Sequence, residues 1–134
     1  MKSIAALLLL VPGTVLAQAR PETYPPDTVL VVAPTNYPFA GIQISGGIPG
    51  AVVVESSLVQ AFRIAKAEPN VTGVIDINLA TDQAWETGRV VCYASSGEKR
   101  WEEKVFFNVG GGAERVAEKF TDKLAAKTRG KTCK

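Results

Sequence analysis

Apolar residues recur along this chain in three rhythms: unbroken, at every second position, and at every third to fourth. The unbroken β-branched run Thr28 to Ala33, closed by Pro34, predicts a strand covered on both faces. Asn70 to Ala80 alternates, with Val71, Gly73, Ile75, Ile77 and Leu79 on one side and Thr72, Asp76 and Asn78 on the other, which predicts a one-sided strand. Gly88 to Ala94 and Arg100 to Val109 predict two more, joined by Ser95-Ser96-Gly97-Glu98-Lys99, a stretch with the length and the glycine of a hairpin loop.

The helical rhythm occurs twice. Leu58, Ala61, Phe62 and Ala65 fall at i, i+3, i+4 and i+7, with Ser57 and Gln60 as a capping box and Glu68-Pro69 as the stop. Where this helix starts is left open: Ala51 and Val54 extend the same stripe backwards, yet Val52-Val53-Val54 is better strand material by propensity. The second helix follows Gly110-Gly111-Gly112, places Ala113, Val116, Ala117, Phe120 and Leu124 on one stripe, and stops near Gly130. Between the first strand and the first helix, residues 34–50 carry three prolines, four glycines, Tyr37 and Phe39. That is turn chemistry, and a long loop is the first place to seek a binding surface. The expected architecture is α+β, a two-layer sandwich: a roughly four-stranded sheet with an antiparallel meander and two helices on one face, in the order β-α-β-β-β-α.

The amino terminus changes the compartment. Lys2, the apolar run Ile4 to Val11 and Ala17-Gln18-Ala19 form the pattern of a secretory signal peptide, residues 1–19, cut before Arg20, with Val15-Leu16-Ala17 offering an alternative cut before Gln18. The run is shorter than the roughly 20 residues that span a bilayer, so a stable membrane anchor is not expected. No cysteine lies at the cut to take a lipid. An extended proline-rich leader, residues 20–27, then precedes a single domain, residues 28–134. The product is expected to be periplasmic or secreted and soluble. In an oxidising compartment the two cysteines, Cys92 and Cys133, are expected to pair and to contribute roughly 3 to 4 kcal/mol.

Charge and chemistry mainly exclude. With 15 Lys+Arg against 13 Asp+Glu, nucleic acid is not an expected partner, and the basic residues between Lys119 and Lys134 read as a solvated helix face and tail. The chain has no histidine, which removes the commonest general base and metal ligand together. Glu102 and Glu103 are neighbours on a strand and so point to opposite faces, which spoils them as an acid/base pair. Ser96-Gly97-Glu98-Lys99 matches S-x-x-K only in letters, inside a hairpin loop. No enzymatic activity, metal or cofactor is expected. Gly110, Gly111 and Gly112 before a helix, with Arg115 one turn on, resemble an anion nest, although three glycines between strand and helix also serve as a plain connection. Asn70-Val71-Thr72 is a glycosylation sequon in letters.

From Val71 to Lys127 the order of an alternating strand, Arg89 to Ala94, a Ser-Gly hairpin ending in Arg100-Trp101, Asn108 closing a strand and a helix beginning Ala113-Glu114-Arg115 resembles small bacterial envelope domains. These are the α/β modules of the penicillin-binding-protein activator, curli-secretion and TolB amino-terminal type. The resemblance implies a non-enzymatic protein that docks to other envelope proteins, without the lipid-attachment cysteine of the lipoproteins in that group. On this reading Tyr37, Phe39 and Trp85 are candidate partner-binding residues. Trp101 is assigned to the core instead, because it alternates with Val105 and Phe107. The alternative is a small-ligand or anion-binding protein whose pocket is roofed by residues 34–50.

Overall fold

A computed structural model describes residues 24–80, 86–107 and 112–134. The predicted signal peptide and the first half of the leader, residues 20–23, lie outside them. The elements are β1 (Thr28–Val32), α1 (Phe39–Ser45), β2 (Ala51–Val54), α2 (Leu58–Ala67), β3 (Val71–Ala80), β4 (Glu86–Ala94), β5 (Lys99–Phe107) and α3 (Ala113–Thr128). The sheet order is β2-β1-β3-β4-β5; β1 runs parallel to β2 and β3, and β3-β4-β5 form an antiparallel meander. The α+β class and the meander are as expected. Among the described residues, however, the sheet has five strands rather than four, and the helices number three rather than two.

The expected two-layer arrangement also fails. Residues on alternate positions of β1 enter two separate cores. Val29 and Val31 join Ile75, Ile77, Val90, Phe120 and Leu124 in an upper core beneath α1 and α3, whereas Leu30 and Val32 join Val74, Ala61 and Ala65 in a lower core against α2 on the other, lower face of the sheet. The helices therefore cover both faces, giving three layers. The physical reason is the path of the chain. From β1 it steps outward to β2 and then returns past β1 to β3, and right-handed crossovers in opposite directions put α1 and α2 on opposite faces. Burial of all five residues of β1 follows from this double cover.

Local choices agree with the layers. Ser57 Oγ accepts from the Gln60 N–H at 3.2 Å, starting α2. In α3 the buried hydroxyls of Thr121 and Thr128 donate to the carbonyls of Ala117 and Leu124, both at 2.8 Å, so two polar side chains enter the core satisfied. Gly130, at φ 81°, ends the helix in a conformation that suits glycine. The tail beyond it is stitched down: Gly130 N–H donates to Gly47 O, Trp101 Nε1–H donates to Thr132 O at 2.8 Å, and Cys133 is bonded to Cys92. Trp101 thus packs against the upper core, with Lys131 Nζ 5.2 Å from its ring centroid.

Candidate functional site

The segment 34–50 is not wholly irregular. Ala40, Ile44 and Ile48, spaced by four, are buried in the upper core, and that spacing organises α1 despite its glycines. The opposite side of this short helix presents Phe39 and Ile42, 67% and 65% exposed. Gly41 lets the helix sit close, since a Cβ there would lie 2.6 Å from Ala33 Cβ and 3.4 Å from Val53 Cγ1. Phe39 and Ile42 are thereby set on the flank of β2.

Among the described residues β2 is an edge strand, with β1 on one side and no strand on the other. Val53 and Val52, facing opposite sides of the sheet, are both exposed, as is Val59 in the first turn of α2. Among the described residues, five of the six exposed large apolar side chains (Phe39, Ile42, Val52, Val53 and Val59) therefore belong to β2 or to the helices that precede and follow it; the sixth is Phe106. An edge strand presents unpaired N–H and C=O groups, and proteins usually blunt such edges with charge or proline. The other edge follows that rule: β5 carries Lys99, Arg100, Glu102, Glu103 and Lys104. β2, reading Ala-Val-Val-Val, has neither protection.

The residues singled out from sequence are distributed unevenly. Tyr37 is half-buried against the upper core, its ring centroid 6.0 Å from that of Phe39. Desolvation first, and then the carboxylates Glu118, Asp122 and Glu114, hold its hydroxyl above its ordinary pKa. Trp85, Gly110 and Gly111 lie outside the described residues. Gly112 caps α3 with φ 89°, Arg115 is exposed, and Glu114 occupies the first turn of the helix. Asn70 is exposed, and its Nδ2 donates to Tyr24 O at 2.8 Å. Ile42 is not among the residues the sequence marks, and the β2 valines enter there only as strand material, not as a surface. Their signal was an uncharged β-branched run beside a spacing of four.

A second feature lies on the lower face, where α2 covers β1 and β3 but stops at Tyr93, whose ring meets Phe62 edge-on at 5.4 Å. Beyond it the register sets Asp76, Val91 and Glu102 in one cross-strand row, then Asn78, Arg89 and Lys104, then Ala80, Thr87 and Phe106. Glu102 takes Lys99 Nζ at 2.9 Å, Arg89 Nη1 at 3.5 Å and Lys104 Nζ at 3.8 Å. The Lys99 hydrogen bond is the main reason its carboxyl titrates below the ordinary range. Glu103, on the other face, pairs with Lys131 and Lys127, so the two adjacent carboxylates are separated as their alternation requires.

Partial burial raises the Asp76 pKa, against the opposing field of Arg89. A raised folded-state pKa means that the charged form costs stability. The deficit is absent below the ordinary carboxyl pKa and is complete once pH exceeds the raised one. Asp76→Asn is expected to raise the thermal midpoint at neutral pH and to bring no gain in strong acid. Melting curves across that pH range check this, and an equal shift at both ends would contradict it.

No family model matches the chain, and no curated protein is found similar to it. Among solved structures it is similar to the PelC dodecamer from Paraburkholderia phytofirmans, at 15% identity and a TM-score of 0.52, over 78% of this chain and 88% of that one. At that identity the likeness is one of fold, and the fold it supports is the mixed α+β sheet described above.

Proposed function

We propose that this chain is an exported, non-enzymatic accessory protein of the bacterial cell envelope that works through protein–protein contact, with the β2 edge as its contact surface and a further copy of the chain as the first occupant. The observation that carries this reading is the uncharged edge strand flanked by Phe39, Ile42, Val52, Val53 and Val59. An apolar edge of this kind is a liability in a lone molecule and an asset in an interface. The dodecameric state of the PelC fold neighbour supports a copy of the same chain as occupant. A heterologous contact, in which the β2 side of one copy meets a different surface of the next, extends to more than two copies. Export rests on the signal pattern of residues 1–19 and agrees with the disulfide.

Light scattering on the mature protein tests the reading. Wild type is expected to run as a multimer. Ile42→Asp and Val53→Asp are expected to dissociate it, with the contact weakened at least about 100-fold because a charge is buried without a partner. Circular dichroism should stay unchanged, since both side chains are exposed. A wild-type protein that stays monomeric at every concentration refutes the assembly.

A further inference from the structure

The uncovered half of the lower sheet face holds a hollow of about 170 Å³ lined by Asn78, Thr87, Gly88, Arg89, Lys104 and Phe106. Its most telling feature is the register. Arg89 and Lys104 are direct cross-strand partners, and like charges placed opposite one another destabilise a strand pair by roughly 0.2 to 1 kcal/mol. The carboxylates nearby offset this only in part: Glu102 is shared among Arg89, Lys99 and Lys104, its contacts to Arg89 and Lys104 are long at 3.5 and 3.8 Å, and Asp76 reaches Arg89 only through its field. Arg89 and Lys104 thus stand beside an exposed aromatic ring, with the Asn78 carboxamide across from Arg89 and the Thr87 hydroxyl across from Phe106 as uncharged hydrogen-bonding groups.

We infer that this hollow binds a small organic anion, its carboxylate seated between Arg89 and Lys104 and its apolar body lying against Phe106. Each part of the lining has a role in that arrangement. Arg89 offers a planar fork matched to a carboxylate, and Lys104 a point charge. Asn78 and Thr87 hydrogen-bond the oxygen lone pairs that the cations leave. Phe106, 64% exposed, supplies the apolar wall and is itself desolvated when the ligand arrives. The volume limits the class, since pockets for drug-sized ligands run from about 300 Å³ upward. A one-ring or short-chain acid fits, and a nucleotide does not. The site faces away from α1 and does not depend on the assembly reading.

Benzoate is the probe, followed by amide chemical-shift mapping at low salt, with benzyl alcohol and inorganic phosphate as comparators. Saturable shifts are expected for benzoate at residues 87–89 and 104–106. Benzyl alcohol is expected to give none, and phosphate to bind more weakly because it gains nothing from Phe106. Arg89→Gln and Lys104→Gln should each weaken benzoate about tenfold, the size of one charge-assisted hydrogen bond, and Phe106→Ala should weaken benzoate without changing phosphate. Both cations are about half exposed, so the variants are expected to fold, and their unshifted amide spectra verify it. Three results overturn the inference: no saturable benzoate shift at these residues, an affinity unaffected in folded Arg89→Gln, or phosphate binding at least as tightly as benzoate.

Discussion

Replacing Cys92 and Cys133 together by alanine is expected to lower the unfolding free energy by about 4 kcal/mol. The bond closes a loop across a sequence separation of 41 residues, and the chain-entropy relation for a loop of that length gives about 4 kcal/mol. Alanine is the informative replacement. Both sulfurs are buried in the upper core, and serine would add the cost of burying hydroxyls with no assured partners. The loss should be visible beyond the bond itself, because the same tail holds Trp101 through the Thr132 carbonyl. Urea unfolding followed by tryptophan emission measures both, and wild type with reductant should behave as the double variant does. A difference below about 1 kcal/mol would show that the tail docks without its covalent tie.

The other large effect is expected at Phe120, which is wholly buried in the upper core between the sheet and α3. Phe120→Ala should cost about 4 kcal/mol, the removed ring leaving a cavity that a sheet-backed site cannot close. Gly88 shows how tightly the site is filled. A Cβ added there would lie 3.1 Å from Leu124 Cδ1 and Val105 Cγ2 and 3.2 Å from Phe120 Cβ, so the helix rests directly on β4. Phe106→Ala, which removes an exposed ring, is the control and should change stability by less than about 0.5 kcal/mol. Equal losses for the two phenylalanines would mean that the upper core is not where the stability resides.

Legibility in the sequence followed the range of the interaction. The meander and α3 were readable because their patterns are long and local: β3 alternates over ten residues, and α3 repeats its stripe over sixteen. Trp101 was correctly assigned to the core from its alternation with Val105. The disulfide followed from there being two cysteines, with no geometry needed. α1 was hidden because its three buried residues sit among prolines and glycines that locally favour turns. β2 was hidden for a different reason: a run of four residues fits the end of a helical stripe as well as a strand, and only its parallel pairing with β1 decides between them. Placement of helices on two faces depended on that same strand, because the direction of each crossover is undefined until β2 is known. The candidate surface inherited the gap. Phe39 was named from its aromaticity, while Ile42, Val52 and Val53 gain meaning only once β2 is seen to be an edge. Arg89 and Lys104 face each other across β4 and β5 only because the pairing that leaves the Gly97 hairpin shifts by one residue between Cys92 and Tyr93, a bulge that the sequence does not announce.

Lys134 Nζ lies 3.5 Å from Asp27 Oδ2, so the segment that follows α3 passes beside the residue that leads into β1. That proximity makes the domain a candidate for circular permutation. A short linker from Lys134 to the residues before Asp27 would close the chain, and a new opening at the exposed Ser96-Gly97 turn would leave every strand partner and the Cys92–Cys133 bond in place. Fusions attached at that opening would project from the tip of the β4-β5 hairpin and spare the tail that carries Cys133.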